Sequence, residues 1–78
     1  MSVAVTVRLY AAAAEAVGAQ ERVVTAGTVA EVRETLGVGG AASVLDQCAV
    51  LRAGVRLDDS VVLGAGDVLD VLPPFAGG

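Results

Sequence analysis

Few residues in this sequence can do chemistry, and their types exclude most of it. Histidine and lysine are absent and there is one cysteine, Cys48. The usual general bases, Schiff-base amines and thiol pairs are therefore missing, and only carboxylates remain. One cysteine cannot close an internal disulfide, and no histidine is present to join it at a metal. Cys48 sits among apolar residues with no cation beside it in the sequence, the setting of a small buried hydrophobe rather than of a reactive thiol. Asp58-Asp59 is a carboxylate pair in an apparent loop; it could hold a cation weakly, but the plainer reading is a solvated turn. Gly37-Val38-Gly39-Gly40-Ala41-Ala42 fits a loose G-x-G-x-x-A pattern. A dinucleotide loop of that kind follows a strand and opens a helix, whereas here a helix precedes it, so a helix stop and a loop are expected.

The end of the chain, Pro73-Pro74-Phe75-Ala76-Gly77-Gly78, has a different character. Two prolines stiffen the exit from whatever precedes them, Phe75 offers one large apolar anchor, and Ala76-Gly77-Gly78 tapers to little more than backbone. That shape can thread a narrow channel. Glycine has no Cβ, so a terminal carboxylate on Gly78 can approach a bound nucleotide closely. Such a carboxylate is ionised at neutral pH and is a poor acyl donor until it is activated.

The elements that would carry this tail can be read from periodicity. Residues 3–10, VAVTVRLY, alternate, with Val3, Val5, Val7 and Leu9 on one face and Thr6, Arg8 and Tyr10 on the other, as in a half-buried strand. Residues 11–17 favour a short helix ending at Gly18, and a second strand is expected at 21–25. Thr28 and Glu31 have capping-box spacing, Val29, Val32 and Leu36 form one stripe, and Gly37 is expected to end the helix in a left-handed conformation. A second helical segment is expected at 41–47. Ala53-Gly54 reads as a turn between VLRA and VRL, Gly64-Ala65-Gly66-Asp67 as another, and 68–72 as the last strand. Neither Pro73 nor Pro74 can donate to a ladder, so pairing stops there. Strand, strand, helix, strands and final strand suit a two-layer α+β domain, in which a right-handed crossover sets the last strand beside the first.

Seventy-eight residues allow one small domain, whose core supplies only roughly 3–5 kcal/mol net without staples. Apolar residues make up 55% of the chain, chiefly Val and Ala with no Ile or Trp, so the core is assembled from small pieces and disorder is excluded. A net charge of −4 disfavours nucleic acid and suits a basic face on another protein. No uncharged apolar run spans a membrane, and the opening stretch lacks the basic start of a signal peptide, so a cytoplasmic location is expected.

With these features in place, the sequence resembles the ubiquitin-like sulfur carriers, which include the small subunit of molybdopterin synthase and the thiamin-thiazole sulfur carrier. The resemblance is carried by Gly66-Asp67-x-Leu69-x-Val71-Leu72-Pro73-Pro74-Phe75-Ala76-Gly77-Gly78, and the Pro-Pro-x-Ala-Gly-Gly ending looks most like the molybdopterin-synthase branch. It implies a β-grasp domain over residues 1–74 and a flexible tail over 75–78. It also implies a non-catalytic carrier that binds no cofactor itself. A ubiquitin-activating-like adenylyltransferase would use ATP and magnesium to adenylate the Gly78 carboxylate, and a sulfur donor would then convert it to a thiocarboxylate. Pro73, Pro74, Phe75, Ala76 and Gly77 would engage partners. The acceptor implied by the closest branch is the molybdopterin synthase large subunit. Alternatives are a thiazole or thiosugar synthase as acceptor, with the sulfur going to thiamin, cysteine, thiolated tRNA or a sulfur-containing natural product, a ubiquitin-like modifier joined to lysines of other proteins, and a non-covalent β-grasp interaction module.

Overall fold

The computed structural model describes residues 1–74. Over these residues the chain forms β1 (Val3–Leu9), α1 (Ala12–Val17), β2 (Glu21–Ala26), α2 (Val29–Leu36), α3 (Ala42–Leu45), β3 (Ala49–Arg52), β4 (Val55–Arg56) and β5 (Val68–Leu72). The strands make one mixed sheet in the order β2-β1-β5-β3-β4. β1 and β5 are its parallel centre, with Val7 opposite Leu69 and Leu9 opposite Val71. The expected α+β, ubiquitin-like β-grasp architecture is the observed one, down to the pairing of the two apolar strands.

Alternation explains why the sheet has one covered face. Val5, Val7 and Leu9 from β1, Val24 and Ala26 from β2, Val50 from β3, and Leu69 and Val71 from β5 all point to the same side. There they close a single core with Val29, Val32 and Leu36 of α2 and Leu45 of α3. No polar or charged residue among those described is buried in this core. The opposite face carries Thr6, Arg8, Glu21, Val23 and Asp70, which the register sets side by side.

α2 begins as its sequence requires. The Thr28 hydroxyl accepts from the Glu31 amide at 3.3 Å, and the Glu31 carboxylate accepts from the Thr28 amide at 3.0 Å and the Gly27 amide at 2.6 Å, satisfying donors that the first turn leaves open. Its end differs from expectation. Gly37 has φ −82° and ψ 33°, which is not left-handed, so conformational freedom is not what requires glycine here. A Cβ on Gly37 would lie 2.7 Å from the Arg33 carbonyl oxygen and 3.1 Å from Cα of Ala42, because α3 folds back against the end of α2. α3 is also shorter than the expected 41–47. The amides of Gln47 and Cys48 turn back only three residues, to Val44 and Leu45, so the last turn tightens and unwinds into β3.

The β3–β4 hairpin closes on Ala53 and Gly54, with φ 52° and 80°. Positive φ at both central residues makes this the type I′ turn that matches strand twist. The turn falls on Ala53-Gly54 as the sequence suggests, and β3 runs from Ala49 to Arg52 before it. An L-alanine is strained at this φ, so Ala53→Gly, or Ala53→Asn, is expected to raise stability by about 0.5–1 kcal/mol in urea denaturation.

Candidate functional site

The chain leaves the sheet at its centre. β5 lies between β1 and β3, and its last pair is Leu72 with Ala49. Pro73 is buried and Pro74 is exposed, so the first proline is packed onto the domain and the second lies at its surface. Phe75, Ala76, Gly77 and Gly78 lie outside the described residues.

The start of β5 is fixed just as firmly. Gly66, at φ 83°, turns the chain where a side chain would be strained. The Gly66 amide donates to the Ala4 carbonyl and the Thr6 amide to the Asp67 carbonyl, both at 2.9 Å, stitching the turn to β1. The Asp67 carboxylate closes it: Oδ2 accepts from the Gly64 amide at 2.8 Å and from Arg52 Nη1 at 2.9 Å. Those two donors, the Gly64 amide foremost, hold the Asp67 carboxyl below its ordinary range. The Gly-Asp pair therefore has a positional role, setting where the strand that leads to the tail begins.

A pH dependence follows with a definite sign. A carboxyl whose folded-state pKa is depressed stabilises the fold at pH above its unfolded value, near about 3.9, and that contribution is lost as pH falls through the lower folded value. Urea midpoints of the wild type should fall on acidification below about pH 4. Asp67→Asn should start lower at neutral pH and show a shallower acid decline, since it keeps no charge to lose.

On the helix-free face near the exit, Tyr10 Oη donates to Asp70 Oδ1 at 3.1 Å. Arg8 stands between Glu21 and Asp70 in the register. Beside them a shallow cleft of about 410 Å³ is lined by Arg8, Tyr10, Ala11, Gln20 and Glu21, among others. Ala11, at φ 50°, makes the abrupt turn from β1 into α1.

The other candidates are structural. Cys48 is buried, its thiol donates to the Val44 carbonyl at 3.2 Å, and burial pushes its pKa up against the pull of Arg33. It is thus a poor nucleophile. Asp59 accepts from Arg33 Nε at 2.9 Å, and Arg33 also donates to the Leu45 carbonyl, so this aspartate ties a loop to α2 and α3. The glycine-rich segment after α2 joins two helices and is not a strand-to-helix phosphate loop. Among the described residues no three His, Cys, Asp or Glu are grouped to hold a metal ion, and no helix is long and apolar enough to cross a membrane. Sequence reading missed Arg33, Arg52 and the Tyr10–Asp70 contact, because their partners are 12 to 60 residues away.

Comparison with known proteins agrees with this architecture. The sequence profile of the ThiS family matches residues 7–78. The chain belongs to the ThiS family. This places it among the ubiquitin-like sulfur carriers and their relatives, whose members are typically non-catalytic. Among solved structures it is similar to SAMP1 from Haloferax volcanii, at 28% identity and TM-score 0.76, covering 96% of this chain and 99% of that one. It is similar also to the Haloferax volcanii HVO 2177 protein, at 29% identity and TM-score 0.78, covering 99% and 88%. A chain in the complex of subunits 1 and 2 of molybdopterin-converting factor from Helicobacter pylori 26695 matches at 26% identity and TM-score 0.72, covering 97% and 100%. No curated protein matches the sequence.

Proposed function

We propose that this ThiS-family chain is a sulfur carrier whose Gly78 carboxylate is the working group. The observation that carries the reading is the match of the family profile through residue 78, on a domain whose central strand β5 runs up to a buried Pro73 and an exposed Pro74. An activating enzyme using ATP and magnesium joins the carboxylate oxygen to the α-phosphorus, with pyrophosphate leaving. A sulfide equivalent from a sulfur donor then attacks the acyl carbon, and AMP departs to leave a thiocarboxylate. Pro73, Pro74, Phe75, Ala76 and Gly77 are the residues that the activating and acceptor enzymes engage in this reading.

The acceptor is better stated broadly than as molybdopterin synthesis. The Pro-Pro-x-Ala-Gly-Gly ending and the likeness to the molybdopterin-converting factor complex support that narrower pathway and a large-subunit partner. Yet the chain is as similar to SAMP1, which is small archaeal modifier protein 1 of Haloferax volcanii. This favours a second reading, in which the activated Gly78 is passed to amines of other proteins.

Intact mass spectrometry tests both. After incubation with an activating enzyme from the same cell, ATP, magnesium and a sulfur source, the mass should rise by the exchange of one oxygen for sulfur. Conjugates in extracts that survive thiol reduction would mark the modifier role. Absence of adenylate, thiocarboxylate and conjugate alike would defeat the proposal.

A further inference from the structure

The two edges of the sheet are treated differently. β4, at one edge, is two residues long and ends in Arg56, the short, charged form that discourages pairing with another chain. β2, at the other edge, runs six residues from Glu21 to Ala26 with no proline, no lysine and no glycine, and its Val23 is 69% exposed.

The register shows which of its backbone groups are free. The Leu9 amide donates to the Gln20 carbonyl at 2.8 Å. Alternation then makes Val7 with Arg22, Val5 with Val24 and Val3 with Ala26 the hydrogen-bonded pairs. Glu21, Val23 and Thr25 therefore turn their N–H and C=O groups away from β1, and among the described residues no strand lies beyond them. Unpaired groups of this kind form a template for strand addition.

We propose that this edge is a self-association surface, on which two copies pair β2 with β2 antiparallel about a two-fold axis at Val23. In that register Val23 faces its twin and Glu21 faces Thr25 of the second copy, each a hydrogen-bonded pair that exchanges two bonds. Every free group of the edge is satisfied, and no like charges stand opposite. Moving the axis to Arg22 would set that arginine against its twin and leave Thr25 unpaired, and moving it to Val24 would leave Glu21 unpaired. The pairing is isologous, keeps both helical layers on one side, and leaves β5, two strands away, clear for the tail. A second copy fits better than a foreign strand because in this register every outward N–H and C=O of Glu21, Val23 and Thr25 meets its counterpart and neither Glu21 nor Arg22 meets a like charge.

Two bodies of charge −4 each repel at long range, so association should be weak and should tighten as salt screens them. In sedimentation velocity, wild-type protein is expected to shift toward dimer with concentration, more so at high salt. Its Glu21, Val23 and Thr25 amides should exchange more slowly as concentration rises. Val23→Lys and Val23→Glu, at an exposed position, should keep the wild-type melting temperature. Each alone should lose association at least tenfold by placing like charges at the axis, and an equimolar mixture should regain it. The proposal is overturned by a chain that stays monomeric at every salt, which would leave the edge to an extended segment of another protein. Variants that associate like wild type would overturn it too, as would a mixture that fails to recover.

Discussion

Removal of Gly77 and Gly78 is expected to abolish adenylation and every downstream product while leaving the melting temperature unchanged. Among the described residues the core is closed by residues 5–71, and a deletion confined to residues 77–78 removes none of those contacts. The proposed chemistry, in contrast, depends wholly on where the Gly78 carboxylate can go. With Ala76 as the new end, the carboxylate would fall short by two residues, about 7 Å of extended chain, and near-attack geometry tolerates far less than that. Pyrophosphate release in the presence of the activating enzyme should therefore drop to background, with far-UV circular dichroism identical to wild type. Retained activity would instead assign function to the folded domain alone, as in a non-covalent interaction module. A milder change separates reach from shape: Gly77→Ala keeps the length but adds a Cβ, and should lower adenylation only in part if the channel admits it.

The same tail shows how unevenly a sequence exposes its structure. Local patterns were legible: the alternation of β1, the Thr28–Glu31 capping box and the Gly66-Asp67 turn each involve residues within a few positions of one another, and the structure has all three. Contacts between distant segments were not. Arg33 joins α2 to the Leu45 carbonyl and to Asp59, and nothing in its neighbourhood along the chain announces either partner. The same holds for Gly37, where the pattern of a helix followed by glycine suggested a left-handed stop. The real constraint is the approach of Ala42, which exists only once α3 has packed. Asp67 is intermediate: its bond to the Gly64 amide is local, but its partner Arg52 comes from β3. Of the candidate site, residues 73–78 stood out by type alone, because the absence of histidine and lysine needs no structure; the chemistry given to them is the proposal made above. The central position of the strand that delivers them depends on the parallel pairing of β1 and β5, which follows from crossover handedness rather than from any local motif.

Leu69→Ala is expected to unfold the domain outright, and with it to eliminate activation by a route unrelated to the tail. Leu69 has no solvent exposure and, with Leu45, is among the largest fully buried side chains. Its β-strand neighbour across the parallel pair is Val7, and most of the surrounding core is valine and alanine. Valine is held in few rotamers and alanine has none to offer, so this core cannot collapse into a vacated leucine site as a more flexible one would. Truncation should then fall toward the upper part of the about 2–5 kcal/mol range for buried leucine. A domain of this size has roughly 3–5 kcal/mol to lose. The variant should lack a cooperative urea transition at neutral pH, whereas Leu69→Met, which conserves volume, should fold with a loss under about 1.5 kcal/mol. Adenylation assays on the two variants complete the argument. Leu69→Met should be activated like wild type, because the tail still leaves a formed sheet. Leu69→Ala should not be activated although its Pro-Pro-Phe-Ala-Gly-Gly sequence is intact, because an unfolded chain offers the activating enzyme no fixed point from which the tail projects. Full activation of an unfolded Leu69→Ala would mean that the six terminal residues alone are recognised, and that the β-grasp domain has no part in presenting them.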